Sequence, residues 1–369
     1  MRVDFSYLPQ QFEDSELIFA DLRELVASSE FTLGPYVERF EKKFAEYIGV
    51  RHAIGTNSGT DALILALKSL DVGPGDEVIT VPNTFIATVG AIVDIGAIPV
   101  FVDCNSHLQM DPGKIEAAIT PKTKVLLPVH WAGWPAEIEE ILNIAELNGL
   151  KVVEDACPAA GAEYRGRRCG TFGQVSAFSL HPLKPLNVWG DGGVVVTDDD
   201  DVAAFLRLYG NHGLQDRDHA VIWGVNRRLQ PFQAIVGTRQ LDTLEQDINA
   251  RRSIAAQLDK GFGELSDFIT VPPRSDWIKG AYHMYILRAQ RRDELVEYLH
   301  SKQVDCKVHY PVPLHLQAAA SGLGYGAGDF PECEAQAGEV LSLPAHQYVS
   351  DEQVDYMVEC ISTFYLSRA

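Results

Sequence analysis

With 369 residues, 46% of them hydrophobic, the chain can bury a large core and has room for two unequal domains. Its 51 acidic residues against 31 basic ones give a net charge of −20, which repels nucleic acid and anionic membranes at long range. Any phosphate must therefore be held by local groups, and no apolar run is long enough to span a bilayer. The opening MRVDFSYLPQQFEDSEL fits neither a signal peptide nor a transit sequence. Cys104, Cys157, Cys169, Cys306, Cys333 and Cys360 show no CxxC pairing and no metal-ligand spacing, so reduced thiols and a cytoplasmic location are expected, with no metal.

Chain order gives an alternation of helical periodicity with short β-branched runs. VERFEKKFAEYIG (37–49) reads as a helix and HAIGT (52–56) as a strand, followed by Ser58, Gly59 and Thr60 at the start of the helix TDALILALKSL (60–70). Small residues there leave backbone N–H groups facing an anion, the form of a phosphate cradle, although Ser and Thr also cap helices with no further role. EVITVP (77–82) is the next strand, and Phe85 stands just beyond its end, at the head of FIATVGAIVDIG (85–96). Its ring could stack on a flat cofactor or simply pack in the core. IPVFVD (98–103) and TKVLLPVH (123–130) are strands, PAEIEEILNIAELNG (135–149) is a helix, and LKVVEDA (150–156) ends on Asp155. An acid there either caps the next helix or meets a cation such as a protonated pyridine nitrogen.

VSAFSL (175–180) carries Ser179, whose hydroxyl could reach a phosphate, and leads through His181 to Lys184 before the strand GGVVVT (192–197). A lysine among apolar residues has its charged form disfavoured, and a free amine condenses with an aldehyde. The aldehyde inferred is pyridoxal 5'-phosphate; the alternative is a solvated loop lysine. GVNRRLQPFQ places Asn226, Arg227 and Arg228 before a helix, where Arg228 could face a phosphate or substrate. From about residue 240 the pattern changes to a long polar helix (240–265), strands at YHMYILRA (282–289) and KVHYPV (307–312), and a closing helix (351–366). His309, Tyr310 and His315 lie in a proline-stiffened stretch and, with His181, form an expected substrate wall. The expected architecture is α/β, with a large, mostly parallel sheet domain (1–245) and a smaller α+β domain (246–369).

In this order, FTLGPYVERFEKKFAEYIG, TNSGTDALILAL, GPGDEVITVPNTFIAT, VVEDACPAAGA, GTFGQVSAFSLHPLK, GDGGVVVTDD, GVNRRLQPFQAIVG and HYPVPLHLQ resemble the DegT/StrS sugar aminotransferases. That resemblance implies the aspartate-aminotransferase fold and pyridoxal 5'-phosphate. Lys184 would condense with the cofactor and then move a proton between cofactor and substrate carbons. Asp155 would hold the pyridine nitrogen, Phe85 would cover the ring, and Gly59, Thr60 and Ser179, with Ser58 beside them, would hold the phosphate. Asn226 would reach the phosphate of a neighbouring subunit, which implies a homodimer with shared active sites.

The implied reaction moves an amino group from L-glutamate, or glutamine, to a keto or aldehyde sugar, with nucleotide-linked sugars of surface polysaccharide or antibiotic synthesis as the expected class. A keto sugar phosphate, an inosose and an oxidised octulosonate are alternatives. So are a sugar dehydratase, which in the family has histidine in place of the lysine, and a non-catalytic regulator. Two departures stand out: Cys157 and Pro158 where the family usually has Gln, and Pro185 where Asn often follows the lysine. One polar contact near the cofactor is therefore expected to be missing, and Trp131, Trp134, Trp189 and Trp223 are expected to reshape the sugar pocket.

Overall fold

A computed structural model describes residues 1–366. Its centre is a seven-stranded sheet in the order His52–Thr56, Gly193–Thr197, Val175–Ser179, Lys151–Asp155, Thr123–Leu126, Glu77–Thr80, Ile98–Phe101. Gly193–Thr197 runs antiparallel to both of its neighbours, and the other pairings are parallel. The strands read as continuous apolar runs because both faces are covered. Alternation decides which face each residue serves. Ala53, Phe178, Val194 and Val196 enter a core with Phe40 and Phe44 of the helix Pro35–Ile48. Ile54, Ala177 and Val195 enter the opposite core with Leu63 and Leu67 of the helix Gly59–Ser69.

A second sheet, antiparallel, joins Ile269–Thr270, Tyr285–Ala289 and Val340–Leu343. The helices Leu244–Gly261, Arg292–Ser301 and Asp351–Leu366 cover it through Leu258, Leu295, Leu299 and Ile361. Val3 belongs to this core, so the N-terminus crosses back to the C-terminal layer. Leu244–Gly261 serves both layers, with Ile248 under the large sheet and Leu258 under the small one.

Two expectations need correction, and one strand had no counterpart among them. The long polar helix does not run from residue 240: a turn at 241–243 separates Pro231–Gln240 from Leu244–Gly261, and the two segments bury against different neighbours. KVHYPV is not a strand; only Lys307 bridges, to Ser342, and the prolines at 311 and 313 remove the donors a ladder needs. Val340–Leu343 is a fully buried strand that a mixed polar and apolar segment concealed. Among the described residues no helix is long and apolar enough to cross a membrane.

Candidate active site

The carboxyl ends of the parallel strands open on a cleft of about 1180 Å³, the place where an α/β sheet of this kind presents ligands. Lys184 reaches it from a tight turn in which its N–H donates to His181 O at 2.8 Å. That turn is pinned from behind, since Tyr7 Oη donates to Lys184 O at 2.9 Å. Asn187, fully buried, donates through Nδ2 to Gln11 Oε1 at 2.8 Å. Burial lowers the Lys184 pKa from its ordinary value, against a smaller opposing pull from Cys157 and Asp155. The amine is thereby biased toward its neutral, nucleophilic form.

Asp155 ends its strand and is 3% exposed. Its Oδ2 accepts from Thr88 Oγ1 at 2.7 Å, and its Oδ1 accepts from the Cys157 N–H at 3.2 Å. Thr88 in turn receives from Thr84 Oγ1 at 2.9 Å, so a hydroxyl of the helix and one from the loop just before it orient the carboxylate. Both contacts are to neutral donors. The carboxylate keeps acceptor capacity toward the cleft, where a protonated ring nitrogen is a fitting partner.

Ser58 is the N-cap of Gly59–Ser69, and its Oγ accepts from Asp61 N–H at 3.0 Å. Its hydroxyl therefore has a structural task, while Gly59 and Thr60 contribute first-turn N–H groups that have no acceptor within the helix. A Cβ at Gly59 would lie 2.7 Å from Ser179 Cβ, so glycine is what lets Ser179 sit against this helix end. Two N–H groups and a hydroxyl converging at a helix N-terminus form a cradle for a phosphate dianion.

Phe85 stands 58% exposed at the cleft, its ring 6.2 Å from that of Tyr310. His309 and Tyr310 line the cleft as well. His309 Nδ1 is 2.8 Å from Ser342 Oγ, and burial, then the charges of Lys184 and Lys307, bring its pKa to about 4. Tyr310 is pushed up to about 12, by burial and then by Asp155. His181, with its pKa lowered mainly by burial, lies on the same wall.

His315 is not part of that wall. A short 3-10 turn (Leu314–Leu316) directs it inward, where it is 3% exposed, 3.1 Å from Glu334 and edge-on to Phe330. Arg228 lies outside this chain's own cleft, donating to Asn211 Oδ1 at 2.8 Å in a separate cavity shared with Glu41 and Arg207. Asn226 is exposed and bridges to Asn211, also away from the cleft of its own chain. Of the tryptophans only Trp131 lines the cleft. Trp134 packs on Tyr282, Trp189 packs on Phe12, and Trp223 is 96% exposed. Among the described residues no group of three or more His, Cys, Asp or Glu could hold a metal ion.

Sequence reasoning missed Thr88 and His283. The Thr84 and Thr88 pair, four apart at the head of an apolar helix, was a usable signal. His283, 3.4 Å from Lys184 Nζ, had none, because its segment reads simply as a strand.

A family model for the DegT/DnrJ/EryC1/StrS aminotransferases matches residues 13–362. The chain belongs to this family. It is 40% identical to a pleiotropic regulatory protein of Geobacillus stearothermophilus, covering 99% of each chain. It is 39% identical to the dTDP-3-amino-3,4,6-trideoxy-alpha-D-glucose transaminase of Streptomyces venezuelae, over 98% of this chain and 95% of that one. Among solved structures, S. venezuelae DesV in complex with a ketimine intermediate superposes with a TM-score of 0.95 at 39% identity, covering 98% of each chain. NtdA of Bacillus subtilis, solved with the cofactor PMP, gives 0.91 at 30% identity, over 100% of this chain and 86% of that one. These likenesses, at 30% identity and above over the whole chain, place the fold among the aminotransferases and its members among enzymes of sugar amination.

Proposed function

We propose that the protein is a pyridoxal 5'-phosphate-dependent aminotransferase that moves an amino group from L-glutamate, or glutamine, to a keto carbon of a nucleotide-linked sugar. The observation that carries this reading is a desolvated lysine amine facing, across one cleft, a carboxylate held by neutral donors, the Thr88 hydroxyl and the Cys157 N–H. The bound cofactor supplies an aldehyde that carries the amino group and a cationic ring that draws electrons from the bond being broken.

The residues present fit it. Asp155, oriented by Thr88, holds a proton at the ring nitrogen, and the Gly59 and Thr60 N–H groups with the Ser179 hydroxyl hold the phosphate. Phe85, exposed at the cleft, would cover one face of the ring and exclude water there. Lys184 Nζ would serve as the nucleophile toward the aldehyde and, as a free amine, as the base that holds a proton moved between carbons. His181, His309 and Tyr310 form the wall that faces the sugar. The exposed Asn226 serves the phosphate site of a second copy, so the working unit is a homodimer. Six free cysteines support a reducing, cytoplasmic setting.

A regulatory role alone, suggested by the name of the Geobacillus relative, leaves the Lys184 and Asp155 arrangement without a task. Borohydride reduction followed by peptide mapping tests the proposal. The expected result is a pyridoxyl group on Lys184, lost when glutamate is added before reduction. An unmodified Lys184 in protein saturated with the cofactor overturns it.

A further inference from the structure

Behind Lys184 lies a histidine to which neither sequence pattern nor family resemblance assigns a role. His283 Nε2 stands 3.4 Å from Lys184 Nζ, while Nδ1 is buried with no hydrogen-bond partner. The ring separates the main cleft from a small cavity of about 20 Å³ that is also lined by Tyr7, Arg251 and His346.

The backbone on either side is fastened. Ala281 N–H donates to Gly133 O at 2.7 Å, Met284 N–H to Ala132 O at 3.2 Å, and Arg251 Nη1 to Tyr282 O at 3.2 Å. Gly133, at φ +85°, passes so close that a Cβ there would lie 2.8 Å from His283 N. The imidazole is thus set beside the amine by two layers of the fold and has little freedom to leave it.

Burial, then the charges of Lys184 and Arg251, then those of His309 and His181, push the His283 pKa well below its ordinary value. On the other side of the amine, Asp155 and Cys157 are the acidic groups that face Lys184. A neutral imidazole has one donor and one acceptor nitrogen. For the ammonium form of Lys184 to donate to this ring, Nε2 must be the acceptor and Nδ1 must carry the hydrogen, toward the smaller cavity.

We propose that His283 is a positioning residue for Lys184: its Nε2 lone pair accepts a hydrogen bond from Nζ, holds that nitrogen at the cleft floor and stabilises the proton it carries between carbons. The inference rests on Lys184 being the base of the proposed function. The proton stays on Nζ throughout, so His283 neither gains nor loses one. Without this acceptor the ammonium would meet burial with less compensation, and its proton affinity would drop.

The test uses the full chain freed of cofactor, acylated with a trace amine-directed reagent over a pH series and read at the Lys184 peptide by mass spectrometry. His283→Leu is expected to lower the Lys184 midpoint by about one pH unit, a tenfold change in proton affinity. His283→Gln, whose side-chain oxygen can accept, is expected to recover most of that shift. An unchanged midpoint in folded His283→Leu overturns the proposal.

A second readout needs no substitution. Nitrogen-15 NMR of histidine-labelled protein at neutral pH is expected to find His283 neutral with hydrogen on Nδ1, and a charged ring or hydrogen on Nε2 overturns the assignment. Both experiments require only the free amine. A failure here is therefore distinguishable from a failure of the borohydride mapping, which concerns the cofactor bond.

Discussion

In the proposed reaction Lys184 and Asp155 act on opposite parts of one cofactor, so their replacements separate by what remains. Lys184→Ala removes nucleophile and base together, and turnover is expected to fall by about 10⁴-fold while circular dichroism stays unchanged. Residual turnover near the original rate would place the base elsewhere. Asp155→Asn keeps an acceptor for Thr88 but loses the charge that sustains a cationic ring, so kcat should fall with KM for the sugar little changed. Steady-state kinetics with saturating cofactor checks this.

Asp155 was legible because it ends a strand, and Lys184 and the cradle because they follow strand ends closely, where sequence position alone implies the crevice. His315 misled for the same reason that His309 did not. The two histidines share one proline-rich stretch, and only the 3-10 turn at Leu314–Leu316 decides that one faces Glu334 and the other the cleft.

Two secondary-structure elements hold the cradle and the strand ends in register. Gly59 is the contact point of a helix N-terminus with the Ser179 strand end, and Gly59→Ala adds a Cβ 2.7 Å from Ser179 Cβ. The two must separate at a cost of about 1–3 kcal/mol. Cofactor titration of the freed protein should show about tenfold weaker binding.

Beneath Asp155, Glu154 is fully buried and accepts at one oxygen from the N–H groups of Phe172 and Gly173 and from Ser176 Oγ, and at the other from Gly170 N–H. His130 lies 2.8 Å from that second oxygen. Its Nδ1 accepts from Ala136 N–H at 3.0 Å, so the ring donates to Glu154 through Nε2. Burial alone would raise the Glu154 pKa. The His130 hydrogen bond and the backbone N–H groups outweigh it and hold the carboxyl below its ordinary 4.5.

A depressed carboxylate pKa contributes stability above the unfolded-state value, and the contribution disappears as pH falls through the folded-state value. Glu154→Gln should lower unfolding free energy at neutral pH by about 3 kcal/mol and flatten its fall below pH ~4.5. Denaturant melts at pH 7 and pH 3.5 compare the two chains. An equal loss at both pH values would show that the carboxylate's charge is not what is being held.

At the level of the whole molecule, Asn226 is exposed and lies away from its own cleft, so a shared site has a specific consequence. Asn226→Ala protomers should bind cofactor weakly and Lys184→Ala protomers should be inactive. Mixed dimers regain one complete site, formed by Lys184 of one chain and Asn226 of the partner subunit. Activity of the refolded mixture should rise well above that of either parent. If the mixture equals the average of the two, each site is confined to one chain.

The sequence by itself determined the large sheet, the helices Pro35–Ile48, Gly59–Ser69 and Asp351–Leu366, and the approximate places of Lys184, Asp155 and Phe85, since hydrophobic periodicity and strand ends are local patterns. Only the tertiary structure decided that Thr88 orients Asp155, that Tyr7 fastens the Lys184 turn from 177 residues away, and that His283 stands beside the amine. Those contacts join segments distant along the chain, and their geometry depends on how layers pack, which no local pattern encodes.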